Sequence, residues 1–384
     1  YERRFIMISK KQLKSFDILM VLLVIVLVAI GIVAISSAQH VNSGADPIYV
    51  NRQLLFFVIG IILMCIAAFI DYHFLGDLYI IAYIVGISLL VFVLLFGDAS
   101  KGAVRWLELG FIRIQPSEFV KIIIILFFAK LTDKKQKEIN KFSTLILLAI
   151  LLIIPVLLIM KQPDLSTSLV FVFIFLMLLY VGGISYKYII SAVLIGIPII
   201  FLILIYIQNP NQKLLKDYQR DRIMAMIHKD NKEYADDYFQ TKQSVHAIGS
   251  GQLYGKGLYK GTLNQLSYLP EPHTDFIFSV IGEEFGFVGC ILILGLFLLL
   301  ITRALWIAKD AKDLFGKLLV VGVVSMLGFQ AFVNIGVVTA LLPNTGLPLP
   351  FISAGGSSLW TNMIGIGLIL NVGMRRKKSF GSVN

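Results

Sequence analysis

Long apolar runs alternate with short polar joints along almost the whole chain. Runs near the roughly 20 residues needed to cross a bilayer fall at 18–38, 53–70, 76–97, 117–131, 142–160, 165–183, 186–207, 275–301, 314–342 and 351–373. The fourth is short and carries Glu118 and Lys121, but Ile122 to Ala129 is too lipid-like for a loop, so it counts as a span. An even number of spans puts both termini on one side. The expected fold is an all-α polytopic membrane protein of about ten transmembrane helices, a single integral membrane domain over 1–384. Its one large loop, 208–274, lies between the seventh and eighth helices. Ile18 to Ala38 is longer than the apolar core of a signal peptide and reads as a retained helix.

Charge orients this pattern. Joints on the side of the termini carry Arg3, Arg4, Lys10, Lys11, Lys14, Lys134, Lys135, Lys137, Lys141, Arg303, Lys309, Lys312, Arg375, Arg376, Lys377 and Lys378. The opposite short loops offer Arg52, Lys101, Arg105, Arg113 and Lys161. Short cytoplasmic loops are enriched in Lys and Arg, whereas loops beyond about 60 residues translocate whatever their charge. The tails 1–17 and 374–384 are therefore expected in the cytoplasm and the 208–274 loop outside. Segments 101–118, 161–168 and 341–358 join that loop, which gives the molecule one working face. The cytoplasmic joints show basic charge and no other chemistry.

Composition agrees. Of 384 residues, 58% are hydrophobic and 15% charged, with a mean hydropathy of +0.85, outside the range of soluble domains. The net charge of +11 would suit nucleic acid, but the Lys and Arg residues sit at the ends of apolar runs, which belongs to membrane topology and anionic lipid. Nucleic acid is not expected as a partner. Cys65 and Cys290 lie within apolar runs, and the five histidines form no HExxH or Cys/His cluster, so no metal site built from protein ligands is expected.

The outer segments hold the candidate chemistry. In YLPEPHTDFIFSVIGEEFGFVG a polar loop runs into an apolar helix with Asp275 at the join. Ionisable groups beside a bilayer usually mark a pathway or reactive site, while the simpler reading is a helix cap. Glu283, eight residues on, falls near the same helical face and suggests a polar cavity beneath. Glu118 and Lys121, three apart on one helix, can pair, and Asp164 follows Gln162-Pro163 close to them. Lys101, Arg105 and Arg113 form either a cationic lip for phosphate or headgroup anchors. The glycine run GSGQLYGKGLYKG lacks a P-loop's preceding strand and its Gly-Lys-Ser/Thr; it reads as tight turns that let backbone amides approach a ligand, or as turns alone. Pro343 to Pro350 cannot form a regular helix, and Ser353, Gly355, Gly356, Ser357 and Ser358 open the last span with amides suited to an anion.

Taken together, KGAVRWLELGFIRIQPSE, KQPDLSTS, QSVHAIGSG, GKGLYKGT, LPEPHTDFIFSVIGEEFGFVG and NTGLPLPFISAGGSS resemble the SEDS family (shape, elongation, division and sporulation), in the family's order and over roughly residues 100 to 375. GKGLYKGT and YQRDRI are most similar to its elongation (RodA-type) branch. The resemblance implies a bacterial peptidoglycan glycosyltransferase of the cytoplasmic membrane that polymerises lipid II on the outer face for cell elongation and shape, with Asp275 as general base. It implies substrate- and diphosphate-binding positions at Lys101, Arg105, Gln115, Ser117, Arg222, Ser244, His273, Thr274, Asn344, Ser353 and Ser357. Glu118, Lys121, Asp164 and Glu283 would form a structural polar network. A divalent cation, Mg or Mn, would enter only with the substrate diphosphate. Expected partners are undecaprenyl-diphosphate-linked glycan, a class B penicillin-binding protein transpeptidase and other elongation-complex membrane proteins. Ser166 and Gln252 stand where glycine is common, and Pro272 where a charged or small residue is frequent; none removes a reactive group. The rival readings are a lipid II flippase, a division-branch polymerase and a non-catalytic scaffold.

Overall fold

The computed structural model describes residues 15–40, 48–100, 103–109, 112–209, 212, 215, 217–228, 235–266, 268–269 and 271–376. Ten long helices match the ten apolar runs: α1 (Ile18–Ala38), α2 (Ile48–Phe69), α4 (Tyr79–Phe96), α5 (Pro116–Lys134), α6 (Phe142–Lys161), α7 (Leu165–Gly182), α8 (Tyr186–Ile207), α12 (Ile277–Lys309), α13 (Leu314–Val338) and α14 (Gly356–Arg375). Shorter helices are α3 (Tyr72–Asp77), α9 (Asp217–Ile227), α10 (Ala235–Ser250) and α11 (Thr262–Gln265). Aspartates start several of them by accepting a first-turn amide: Asp17 from Met20, Asp71 from His73, Asp164 from Thr167 and Asp313 from Gly316. Such caps satisfy donors that have no partner inside the helix.

Eight of the long helices are apolar enough to cross a membrane alone. The two that are not, α5 and α14, are the polar ones, and both lie largely buried against other helices. Ser117, Glu118, Lys121, Thr361, Asn362 and Asn371 on them are buried in protein, which is where such groups are tolerated at membrane depth. α13 is the central post: Lys317 and Phe332 are its only exposed residues, and it packs on α5, α7, α12 and α14. α8 is its opposite, since Ile207 is its one buried residue among those described.

The joints separate into two ends. At the basic end Arg303 pairs with Asp17 and Arg375 with Asp71. At the other end Arg105 reaches Gln162, Ser166 reaches Thr345, and Gln53 reaches Ser353. This is the division the charge pattern anticipates. Two features lie outside the sequence expectation. An antiparallel three-stranded sheet is formed by β1 (Asp98–Ser100), β2 (Ala103–Leu109) and β3 (Ile112–Ile114), in order β1-β2-β3. The long loop is also partly helical, through α9, α10 and α11.

α12 is two helices joined at a kink, because Gly286 breaks it with φ 64° and ψ −161°. The break frees backbone groups, and the glycine run takes them up. Lys256 and Gly257 amides donate to the Glu283 and Glu284 carbonyls at 3.0 and 2.9 Å, while Phe287 and Val288 amides donate to Gln252 and Leu253 carbonyls at 2.8 and 3.1 Å. The expectation that these amides approach a ligand is corrected here: they complete a helix.

Candidate functional site

Asp275 lies in a turn just before α12, where Phe276 occupies the cap position without a side-chain cap bond. It is partly exposed at the loop-rich end. The position is set by its backbone and that of its two predecessors. The His273 carbonyl accepts from the Ala354 amide (2.9 Å), the Thr274 carbonyl from Ser353 Oγ (2.6 Å), and the Asp275 carbonyl from Asn334 Nδ2 (3.0 Å). Asn334 Nδ2 also donates to the Leu347 carbonyl at 2.8 Å, tying the same turn to the 343–350 loop. Each of these bonds is of ordinary length. Three consecutive anchors leave the Asp275 side chain little backbone freedom.

Around this turn the predicted residues form a ring. Gln115 donates from its amide to Ser357 Oγ (3.0 Å) and from Nε2 to Asp164 Oδ2 (3.3 Å). Asp164 caps α7 through the Thr167 amide (3.0 Å), and Arg105 Nη1 lies 3.9 Å from its Oδ2. Ser166 Oγ donates to the Thr345 carbonyl, and Gly346 sits against Asp275. The ring therefore runs by contact through Asp275, Gly346, Thr345 and Ser166, along the chain to Asp164, by contact through Gln115 to Ser357, and along the chain back to Ser353, which bonds the Thr274 carbonyl.

Within this ring the predicted binding residues divide into frame and rim. Ser353, Ser357, Ser244 and Ser117 are buried. Ser244 Oγ meets Ser279 Oγ and donates to the Val338 carbonyl. These four build the frame. Arg105 presents Nε to the Gln162 carbonyl at 2.9 Å and Nη2 to the Pro163 carbonyl, so it latches the sheet onto the 162–164 turn. Arg113 pairs with Glu108 across the β2–β3 hairpin. At the rim, Asn344 Nδ2 donates to Gln240 Oε1 (3.1 Å), and Arg222, Tyr238 and Asn344 share a small cleft. His273 packs against Tyr49 with ring centroids 4.7 Å apart and planes tilted by 59°, and Thr274 Oγ1 donates to the Glu271 carbonyl. Lys101 lies outside the described residues.

Two expectations change. Glu283 does not lie beneath Asp275. It is fully buried and accepts from Lys256 Nζ (2.6 Å), Thr262 Oγ1 (3.1 Å) and the Leu263 amide (3.0 Å), clamping the glycine run onto the helix break. Helical spacing fails here because the helix begins two residues after Asp275. The start of α14 is likewise no open anion cradle: Gly356 and Ser357 are buried, and the Gly355 amide donates to Gln53 Oε1. Asn334 was missed altogether. A polar residue one turn after Gln330 in an otherwise apolar helix was the available signal.

Glu118 and Lys121 pair at 2.7 Å, fully enclosed on α5. The partners of Asp164 are Gln115, Arg105 and the Thr167 amide, not this pair. The basic end carries chemistry the sequence reading passed over. His73 lies between Asp71 (Nδ1 to Oδ1, 2.9 Å) and Asp313 (Nε2 to Oδ2, 2.7 Å), and Tyr72 donates to Asp313 at 2.8 Å.

Residues 17–378 match the family model described as "Cell cycle protein", FtsW/RodA/SpoVE. The chain is 37% identical over 382 residues to the probable peptidoglycan glycosyltransferase FtsW of Geobacter metallireducens, covering 96% of this chain and 98% of that one. It is 38% identical over 367 residues to the peptidoglycan glycosyltransferase MrdB of Escherichia coli, covering 96% of each. It also superposes with a TM-score of 0.79 and 31% identity on a chain from a solved peptidoglycan synthase complex that coordinates polymerization and crosslinking, covering 94% of this chain and 99% of that one. With those motifs arrayed around Asp275 at one end of a multi-span bundle, the chain belongs to the SEDS (FtsW/RodA/SpoVE) family and is a peptidoglycan glycosyltransferase.

Proposed function

We propose that this enzyme polymerises lipid II at its loop-rich end, on the outer face of the cytoplasmic membrane, with Asp275 as general base. The observation that carries this is the triple anchoring of the 273–275 carbonyls, which holds one partly exposed carboxylate on the ring. The 4-hydroxyl of the acceptor sugar attacks the anomeric carbon of the donor, its proton passes to Asp275, and undecaprenyl diphosphate leaves with inversion. A carboxylate with an ordinary pKa of about 3.9 is a weak base for a resting alcohol. It accepts the proton late, as the attacking oxygen acidifies, so positioning matters more than basicity.

The departing diphosphate needs cationic or amide donors. Lys101, Arg105 and Arg222 at the rim are the candidates, with Arg105 held in place by the Gln162 and Pro163 carbonyls. Among the described residues no group of three or more His, Cys, Asp or Glu side chains is arranged for a metal ion. A divalent cation carried by the diphosphate, held through phosphate oxygens, would neutralise leaving-group charge.

The elongation branch is our reading, supported by GKGLYKGT and YQRDRI; a class B penicillin-binding protein is the transpeptidase partner in it. The flippase reading is disfavoured by the crowding of ring residues at one end of the bundle. The decisive experiment is lipid II polymerisation by purified protein. Asp275→Asn, correctly inserted, should lose about a hundredfold or more of the rate, the range of general-base loss. Full activity in that variant would end the proposal, as would transport of lipid II without glycan formation.

A further inference from the structure

A groove of about 760 Å³ opens at the basic end, far from the Asp275 ring. It lies where the α7–α8 joint meets the end of α12 and the start of α13, lined by Tyr180, Ile184, Leu305, Lys309, Lys317 and Val321 among others. That volume is in the range of small-ligand sites. Val181, Ile184, Leu305, Ala308 and Val321 make its walls more apolar than polar, and no Asp or Glu lines it. Lys309 and Lys317 supply its charge, and neither side chain has an ion pair or hydrogen bond among the described residues. Asp313, one turn before Lys317, is engaged with His73, Tyr72 and the Gly316 amide. The joint that forms one wall is fixed: Asn140 binds the Ser185 amide through Oδ1 and the Gly183 carbonyl through Nδ2.

We propose that this groove holds the headgroup of an anionic phospholipid from the adjoining leaflet, its phosphodiester between Lys309 and Lys317. Three features fix the ligand class. Two lysines without ion-pair or hydrogen-bond partners among the described residues line one concave site, which calls for an anion. The apolar part of the walls and the exposed apolar α8 alongside call for acyl chains. Tyr180 and Tyr186, both exposed at the rim, are the residue type that settles at the membrane–water boundary. A soluble anion would use the lysines and leave the apolar surface unused.

The test compares phosphatidylglycerol with phosphatidylcholine binding to purified full-length protein by native mass spectrometry. Wild type should retain phosphatidylglycerol preferentially. Lys309→Gln with Lys317→Gln should weaken that preference about thirtyfold, from roughly one lysine's membrane-surface attraction at each position. Lys309→Arg with Lys317→Arg should preserve it, and Lys135→Gln with Lys141→Gln, at the same end but outside the groove, should leave it unchanged. Three results would overturn the proposal: equal retention by the Gln pair, displacement by inorganic phosphate at millimolar concentration, or exclusion of phosphatidylglycerol by a partner's membrane helix seated in the groove.

Discussion

Asp275 faces Gly346: a methyl group built on Gly346 would stand in van der Waals contact with Asp275 Oδ2, at 3.4 Å, and Gly346 has φ +71°. The 343–350 loop thus presents bare backbone to the carboxylate. Gly346→Ala adds a side chain in a left-handed conformation, at about 1 kcal/mol, and crowds the proposed base. We expect polymerisation to fall at least tenfold with a small loss of detergent thermal stability. Loss of stability without loss of rate would separate Gly346 from the chemistry.

Gly286 and Gly255 meet more closely still. A Cβ on Gly286 would lie 2.4 Å from the Gly255 amide nitrogen, and one on Gly255 would lie 2.1 Å from the Glu284 carbonyl oxygen. Backbone cannot yield as a side-chain tip can. Gly286→Ala should destabilise by about 3 kcal/mol or more and lower the yield of folded protein. Gly295→Ala, further along α12 with nothing within 4 Å, should be neutral or slightly stabilising. The two melting curves, measured side by side, check the plug assigned to the glycine run.

The enclosed Glu118–Lys121 pair makes a third test. Removing one member of a buried pair leaves the other's charge unbalanced, at about 3–5 kcal/mol. Lys121→Met should therefore melt far below wild type, and Glu118→Gln with Lys121→Met should recover much of the loss. If the double variant is no better than the single, the pair is not coupled.

At the basic end, hydrogen bonds from Asp313 and then Asp71 outweigh burial and raise the His73 pKa from 6.5 to about 9. Its folded form holds the proton more tightly, so its contribution is complete below pH 6.5 and fades toward 9. His73 holds Asp71 down at about 2. Asp313 reaches about 2 because bonds from His73, Gly316 and Tyr72 overcome its burial. The aspartates contribute above pH 3.8 and lose that contribution as pH falls toward 2. Burial, then Asp313, raises the Tyr72 pKa as well. With His73 about 40% exposed, solvent screening limits the effect to about 1 kcal/mol. The melting-temperature difference between wild type and His73→Gln should be greatest between pH 4 and 6.5 and vanish above 9. A difference independent of pH would reject the network.

The sequence by itself determined the ten apolar runs, their division between two ends, the irregular 343–350 loop and the motifs of the loop-rich end. Hydropathy and loop charge act through local composition, so a one-dimensional reading suffices for them. Only the tertiary structure decided that Asp275 precedes its helix, that Glu283 turns away to Lys256, that the glycine run mends a helix break, and that His73 has two aspartate partners. Those outcomes depend on which distant group satisfies each backbone or charged atom. Asn334 is 59 positions from Asp275, and Ser353 is 79 from Thr274. No local periodicity encodes such a meeting; it follows from how α13 and the 343–355 segment pack against the start of α12.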